Sequence, residues 1–252
     1  MKHIDVLDKG YVNLTHTTKS VEDDRTCQQT LYELDKLVVA SARMSTGGEL
    51  KGDEKDRKLL HYLIEHEHGT PLEMPTFRFE MKMPLFVIQQ LLRHRWSSFN
   101  QASGRYTEAI SEDYYVPAIF RAQDTKNKQG SLNIDLSDAT IYCDSTNCDA
   151  PSSVRHEYIA ELEQQKFKYE RMVKVGVAKE LARNILGSTF YSKIAWSVNA
   201  RSLINFLILR LDGHAQWETQ EYAKTVCKMF AEEMPWTVGA LEKLFTSVPW
   251  TK

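Results

Sequence analysis

Strict alternation of apolar and polar residues predicts two β elements in the first third of the chain. Over residues 76–83, Phe77, Phe79 and Met81 alternate with polar side chains, which is typical of a strand with one buried and one solvated face. Residues 4–15 contain two shorter strand-like runs around the turn sequence Asp8-Lys9-Gly10. This second pattern predicts a β-hairpin.

Apolar residues three or four positions apart predict helices through most of the remaining chain. Asp53 is a candidate N-cap, Gly176 a helix terminator, and Pro235 ends the last helical run. The predicted helices cover residues 25–44, 53–66, 85–93 (a buried helix), 154–176, a further helix through 186, 199–211 and 216–232.

Residues 122–153 differ from this pattern, because they are rich in polar side chains and lack clear periodicity. We expect a surface excursion there, with one short strand over residues 139–143. The fold class is therefore predicted as α+β, a helix-rich single domain over residues 1–252 with a small antiparallel sheet.

Composition narrows the class of protein. Apolar residues make up 42% of the 252 residues and charged residues 26%, with a formal net charge of −2, so we expect a folded chain that is not a broad nucleic-acid binder. No long apolar run predicts a signal peptide or a membrane span. The four cysteines are scattered, which favours a reducing cytoplasm and argues against a zinc site or a disulfide framework.

The densest chemistry lies in residues 93–106, directly after the predicted buried helix. Arg93, Arg95 and Arg105 carry guanidinium groups that bind phosphate or carboxylate, and Ser103-Gly104 allows the backbone to approach an anion closely. Cations at a helix C-terminus are also favoured by the helix dipole alone. That simpler explanation does not account for the serines, the glycine and the third arginine that follow.

This segment resembles the signature of the flavin-dependent thymidylate synthases, in which Arg-His-Arg is followed by seven residues and a serine. Here the signature is Arg93-His94-Arg95 followed by Ser103. Further segments resemble the family in the same order, so that the resemblance covers nearly the whole chain outside residues 122–153. They are Ala42-Arg43-Met44-Ser45, His68-Gly69-Thr70-Pro71-Leu72-Glu73, residues 199–206, Leu209-Arg210 and His214-Ala215-Gln216-Trp217-Glu218.

The resemblance implies the family's fold, activity and ligands. The implied enzyme is an FAD-dependent methyltransferase that converts dUMP to dTMP, with methylenetetrahydrofolate as carbon donor and NADPH as reductant. It also implies a homotetramer with shared active sites. The implied FAD contacts are Ser45, Thr70, Arg93, His94, Arg95, Gln101, Asn199, Arg201 and Asn205. The implied dUMP contacts are Gln90, Arg93, Gln101, Ser103, Gly104, Arg105, Arg183 and Arg210.

Helical spacing agrees with part of this assignment. Arg201 and Asn205 are four residues apart and share a face, whereas Arg210 lies roughly opposite, so one helix could serve two ligands. Without the resemblance, pairing of Arg201 and Arg210 with structural carboxylates is the simpler interpretation. The implied catalytic residue is Arg210, which would stabilise negative charge on the uracil ring. Attack by a cysteine is poorly supported, because Cys227 lies on a core-like helix face.

The sequence departs from the family pattern at two positions, and two other functions are compatible with it. Gln101 stands where many relatives have Glu, and Met74 where the family often has His. His68 and His214 match family histidines near the active site, although His214 could be structural. Arginines beside aromatic residues are also typical of RNA-binding modules, which the near-neutral charge disfavours. The sequence is also compatible with a regulator that binds flavin but does not catalyse the reaction.

Overall fold

The structure is a computed structural model and describes residues 2–18, 33–108, 112–142 and 151–250. In these ranges the strands are β1 (Lys2–Val6), β2 (Gly10–Thr17), β3 (Thr76–Pro84), β4 (Ser98–Gln101), β5 (Arg121–Gln123), β6 (Ser131–Asp135), β7 (Thr140–Ile141), β8 (Ser152–Ser153) and β9 (Tyr191–Asn199). The main sheet has the order β1-β2-β3-β9-β4, and all of its neighbours are antiparallel. β5 pairs with β6, and β7 with β8, in two small separate sheets.

Helices surround this sheet. They are α1 (Glu33–Met44), α2 (Asp53–Glu65), α3 (Leu85–Leu91), α4 (Val154–Lys174), α5 (Lys179–Ala182), α6 (Ala200–Arg210), α7 (Trp217–Glu233) and α8 (Pro235–Leu244), with 3₁₀ turns at Thr70–Glu73 and Arg183–Ile185. Within the described ranges, no helix combines the length and apolar character needed to cross a membrane.

The core forms where β3 and β9 lie side by side. Their register runs from Thr76 opposite Asn199 to Pro84 opposite Tyr191, so the apolar sides of both strands face the same way. Phe79 and Trp196 are fully buried there, with ring centroids 5.5 Å apart. Burying each such side chain contributes about 1.5–3 kcal/mol, which makes this pair of strands the rigid base for the helices that follow them.

The predicted fold class is confirmed, and most predicted elements are present. The hairpin of β1 and β2, strand β3 and helices α4, α6 and α7 lie where the patterns place them. Gly176 follows the end of α4 with a φ of 90°, in the left-handed region that favours glycine. Of the helix predicted over residues 25–44, the structure describes only α1, and the preceding residues lie outside the described ranges.

Several boundaries differ from the predictions. Asp53 is not an N-cap: Gly52 occupies that position with a φ of 92°, and no side chain caps α2. α3 ends at Leu91 rather than residue 93, and four of its seven residues keep some exposure. The helix predicted through residue 186 is instead the short α5 and a 3₁₀ turn, and Pro235 begins a further helix, α8.

Three strand regions were missing from the sequence prediction or incomplete in it: β4, β9 and the strands of the polar excursion. β9 is the central partner of β3, and its alternation of Ile194, Trp196 and Val198 with less buried residues was a readable signal. The polar excursion contains β5, β6, β7 and β8 rather than one short strand, and the predicted strand over residues 139–143 is reduced to Thr140–Ile141. Cys143 lies outside the described residues.

Candidate active site

The Arg93-His94-Arg95 segment links the end of α3 to the edge strand β4. Backbone amides of Arg93 and His94 donate to the carbonyls of Gln90 and Leu91, which tightens the last helical turn and directs the segment outward. Arg93 and Arg95 are exposed, and within the described ranges neither guanidinium has an ion-pair partner. Trp96 beside them is 76% exposed. Two free guanidinium groups beside an exposed ring fit an anionic ligand that carries an aromatic base.

Arg210 and His94 meet at the inner side of this segment. Nε of Arg210 donates to Nε2 of His94 at 3.0 Å, and its Nη2 donates to the Gln90 carbonyl at 3.3 Å. Burial, followed by the charge of Arg210, lowers the pKa of His94 to about 4. Burial, followed by the charge of Arg93, also lowers the pKa of Arg210 from its ordinary value. The neutral histidine therefore orients the cation without sharing its charge.

Both polar atoms of the Gln90 side-chain amide are hydrogen-bonded. Its Nε2 donates to Oε1 of Gln216 at 2.5 Å, and its Oε1 accepts from the Thr219 hydroxyl at 3.1 Å. Gln90, His94 and Arg210 thus belong to one hydrogen-bonded group at the C-terminal end of α6 and the N-terminal end of α7. Gln216 and Thr219 are members of this group with no role in the sequence prediction, although Gln216 lies in a segment that resembles the family.

A second group lies at the N-terminal end of α6. Nη1 of Arg201 donates to Oε1 of Glu73 at 2.5 Å. A Cβ atom at Gly69 would lie 2.6 Å from Nε of Arg201, so only glycine lets the guanidinium rest there. The Asn199 side chain caps α6 by accepting from the Ser202 amide at 2.9 Å, while Thr70 and Asn205 are exposed. Pairing with a carboxylate, the simpler interpretation, therefore holds for Arg201 and not for Arg210.

The two arginines of α6 face different surroundings, as the spacing predicts. Nine residues at 1.5 Å per residue separate Arg201 from Arg210 by about 14 Å along the helix. Arg201 contacts the 3₁₀ turn Thr70–Glu73, whereas Arg210 contacts the segment after α3. One helix thus presents a cation to each of two places.

A third group contains the serine of the signature. The Ser103 hydroxyl accepts from the Arg105 amide at 3.2 Å, and Nε of Arg105 lies 3.1 Å from a carboxylate oxygen of Glu180. Gly104 is buried between them, and Arg183 is half-buried in the 3₁₀ turn after α5. Within the described ranges, neither Ser103 nor Arg105 hydrogen-bonds to Gln90, Arg93 or Arg210. The predicted dUMP contacts therefore include two groups that no hydrogen bond links within the described ranges.

The remaining predicted residues lie at the surface. Ser45 is exposed after α1, and its hydroxyl donates to the Ala42 carbonyl at 2.8 Å. Nε2 of Gln101 donates to the Ser192 hydroxyl at 3.3 Å. His68 is exposed, and Nδ1 of the exposed His214 lies 2.8 Å from Oδ1 of Asp212. Neither histidine is buried as a core residue would be.

Cys227 is placed where it cannot act on a substrate. It is buried on α7, its thiol donates to the Trp250 carbonyl at 2.7 Å, and burial raises the pKa of the thiol to about 12. A nucleophilic cysteine needs access and a low pKa. The prediction that Cys227 belongs to the core is confirmed.

The described residues form an α+β protein with an exposed, arginine-rich candidate site for an anion, and comparison with known proteins identifies its family. The family model described as thymidylate synthase complementing protein matches residues 28–236. A flavin-dependent thymidylate synthase of Kosmotoga olearia is 39% identical over 238 residues, covering 94% of this chain and 92% of that protein. The enzyme of the same name from Thermosipho africanus is 38% identical, with coverage of 94% and 93%.

Solved structures agree with the sequence comparison. A UMP/dUMP methylase, PolB from Streptomyces cacaoi, bound with 5-Br UMP superposes with a TM-score of 0.74 at 26% identity, covering 98% of this chain and 99% of that one. The same methylase bound with 5-Br dUMP gives a TM-score of 0.72 at 27% identity, covering 97% and 99%. The chain belongs to the flavin-dependent thymidylate synthase family, and the resemblance read from the sequence is confirmed.

Proposed function

We propose that this chain is an FAD-dependent thymidylate synthase that methylates dUMP at C5 to give dTMP. Methylenetetrahydrofolate would donate the carbon and NADPH would reduce the flavin. The observation that carries the proposal is the oriented Arg210 guanidinium in a member of this family, together with Arg93 and Arg95, which form no ion pair with the described residues. These residues would combine a place for phosphate with a half-buried cation for the base.

Arg210 is the proposed catalytic residue. Within the described ranges its hydrogen bonds occupy Nε and one hydrogen of Nη2, which leaves three of its five N–H groups to donate to a ligand. A guanidinium in this position would stabilise negative charge on N3 and the adjacent carbonyl oxygens of the uracil, which makes C5 more nucleophilic. It would not abstract a proton, because arginine stays protonated in proteins.

The other dUMP contacts would bind and orient the nucleotide. Arg93 and Arg105 would pair with phosphate oxygens, and the Ser103 hydroxyl and the Gly104 backbone would complete the anion site. Gln90 would hydrogen-bond to the nucleotide with its free amide hydrogen. Gln101 and Arg183 would contribute further polar contacts, as the family resemblance implies.

The residues proposed for FAD fit an elongated, anionic ligand. Among the described residues the two arginines of the signature have no ion-pair partner, and the Arg201 guanidinium is fixed by Glu73 over the Gly69 backbone. We assign FAD contacts to Ser45, Thr70, Arg93, His94, Arg95, Gln101, Asn199, Arg201 and Asn205. FAD would supply the redox chemistry when bound, and these residues would hold and orient it.

A homotetramer with shared sites is part of the proposal. It is supported by the division of the proposed dUMP contacts, because Ser103 and Arg105 lie in a different group from Gln90 and Arg210. A second copy could bring the two groups together across an interface. Light scattering should then give a mass of about 116 kDa, four times the 29.1 kDa chain.

One catalytic domain over residues 1–252 in the cytoplasm completes the proposal. A single hydrophobic core that includes both Val6 and Trp250 supports one domain, and the scattered cysteines support a reducing compartment. The enzymatic test is formation of dTMP by purified protein, followed by chromatography. Product should require dUMP, methylenetetrahydrofolate, NADPH and FAD together, and a flavin-loaded protein that forms none would refute the activity.

A further inference from the structure

Glu218 is a buried carboxylate next to the candidate site that has no assigned role. Its side chain is 4% exposed. Oε1 accepts from Nη2 of Arg121 at 2.5 Å and from the Tyr115 hydroxyl at 3.2 Å, and Oε2 accepts from Nε2 of Gln216 at 3.0 Å. A carboxylate accepts hydrogen bonds and does not donate them, so it dictates the orientation of each neighbour.

This orientation passes along two amide side chains. Because Gln216 turns its Nε2 toward Glu218, its Oε1 faces Gln90 and accepts from Nε2 there at 2.5 Å. The Oε1 of Gln90 accepts from the Thr219 hydroxyl at 3.1 Å. The second hydrogen on Nε2 of Gln90 has no acceptor among the described residues, so Gln90 presents a donor there.

Strand β5, which leads into the polar excursion, supplies the counter-ion of this carboxylate. Arg121 lies on β5, its Nε donates to the Ser131 hydroxyl of β6 at 3.1 Å, and its guanidinium carbon lies 4.8 Å from the Trp217 ring centroid. The sheet formed by β5 and β6 thus holds the cation that compensates the buried charge of Glu218. Removing one partner of such a buried pair is costly because the other charge is left uncompensated.

We propose that Glu218 is a positioning residue of the nucleotide site: it fixes the Gln216 amide, and through it the Gln90 amide, so that Gln90 donates to a hydrogen-bond acceptor of the nucleotide. This inference rests on the proposed function and assigns a task to a residue that does not touch the ligand. It also gives Arg121 of β5 a task, namely holding that carboxylate in place.

The test is Glu218→Gln, measured by calorimetric titration of dUMP into the FAD-loaded protein. The new amide turns its Oε1 to Arg121 and its Nε2 to Gln216, which reverses the Gln216 and Gln90 amides in turn. Gln90 then presents an acceptor in place of a donor. We expect the Kd for dUMP to rise roughly tenfold, as for loss of one oriented hydrogen bond, while the flavin content is unchanged.

Two further variants separate positioning from general destabilisation. Tyr115→Phe removes a hydrogen bond from the same buried carboxylate and leaves Gln216 in place, so its Kd should stay within about twofold of wild type. Gln216→Met breaks the link at an exposed residue and provides the same test if Glu218→Gln does not fold. Combined with Gln90→Ala, either Glu218→Gln or Gln216→Met should add no further loss, because both act through Gln90.

The outcomes distinguish this inference from the function on which it rests. If the wild type binds dUMP and both linking variants bind it equally well, or if their losses add to that of Gln90→Ala, the positioning role is refuted. A wild-type protein loaded with FAD that does not bind dUMP would overturn the proposed function itself, and the inference with it.

Discussion

Nε of Arg210 donates a hydrogen bond to Nε2 of His94 at 3.0 Å, so His94 is neutral and carries its proton on Nδ1. The lowered pKa of His94, about 4, agrees with a neutral ring over the neutral pH range. A protonated His94 could no longer accept from Arg210 and would place a second positive charge beside it. The histidine of the Arg-His-Arg signature thus orients the proposed catalytic arginine.

The first prediction concerns stability against pH. A histidine with a folded pKa near 4 and an ordinary value of 6.5 binds fewer protons in the folded state, so its contribution to stability is complete above pH 6.5 and declines from there toward pH 4. His94→Gln keeps an acceptor for Arg210 but does not titrate. Denaturant unfolding without ligands should show a larger loss between pH 7.5 and 5 for wild type than for the variant. Equal losses would contradict the neutral-histidine assignment.

The second prediction concerns Arg210. Arg210→Ala should lower the rate of dTMP formation by roughly a hundredfold, because the charge on the uracil loses its stabilising cation. Flavin content should be retained, since Arg210 is not among the proposed FAD contacts. Lys58→Ala, which breaks an exposed ion pair with Glu54 on α2, is the control and should keep full activity. A fully active Arg210→Ala enzyme would show that Arg210 is not the catalytic residue.

The sequence predicted those strands and helices in which the spacing of apolar residues within the element reveals its buried face. β3 could be read because its buried and exposed residues alternate, and α7 because Ala223, Val226 and Phe230 form one buried face. β4 has no such signal, because Ser98–Gln101 is polar and short and becomes a strand only by pairing with β9, almost a hundred residues later. A sequence pattern does not encode that pairing locally.

The candidate site follows the same division. The signature arginines and Arg210 could be named from the sequence, because the family resemblance fixes their identities at fixed spacing. Their hydrogen-bond partners could not be predicted from the sequence. His94 contacts Arg210, and Arg121 contacts Glu218, although each pair is separated by about a hundred residues of chain. Burial of Glu218 depends on that distant partner, so its role becomes visible only in the folded arrangement.

The third prediction concerns Gly69. In Gly69→Ala the new Cβ would lie 2.6 Å from Nε of Arg201, so the guanidinium must leave its place beside Glu73. We expect the Kd for FAD, measured by fluorescence titration, to rise roughly tenfold with little change in melting temperature. Gly239→Ala on α8, where the nearest atom is 3.9 Å away, is the matched control. If Gly69→Ala bound FAD as tightly as wild type, the assignment of Arg201 as an FAD contact would be wrong.

The fourth prediction tests the shared site. If one copy provides Arg210 and another provides Arg105, then Arg105→Ala and Arg210→Ala are each inactive, but mixed tetramers contain some intact sites. Unfolding and refolding an equimolar mixture should recover about a quarter of wild-type activity, because half of the copies supply each intact partner. Each variant refolded alone is the control. A mixture as inactive as its components would indicate sites built within one chain.

The measurement that tests the central claim most directly is the visible absorbance of the FAD-incubated protein under anaerobic conditions, before and after addition of NADPH with dUMP. We predict a bound-flavin spectrum that bleaches on addition and dTMP formation once methylenetetrahydrofolate is supplied. A protein that shows no flavin absorbance even after incubation with FAD would contradict the flavin-dependent account.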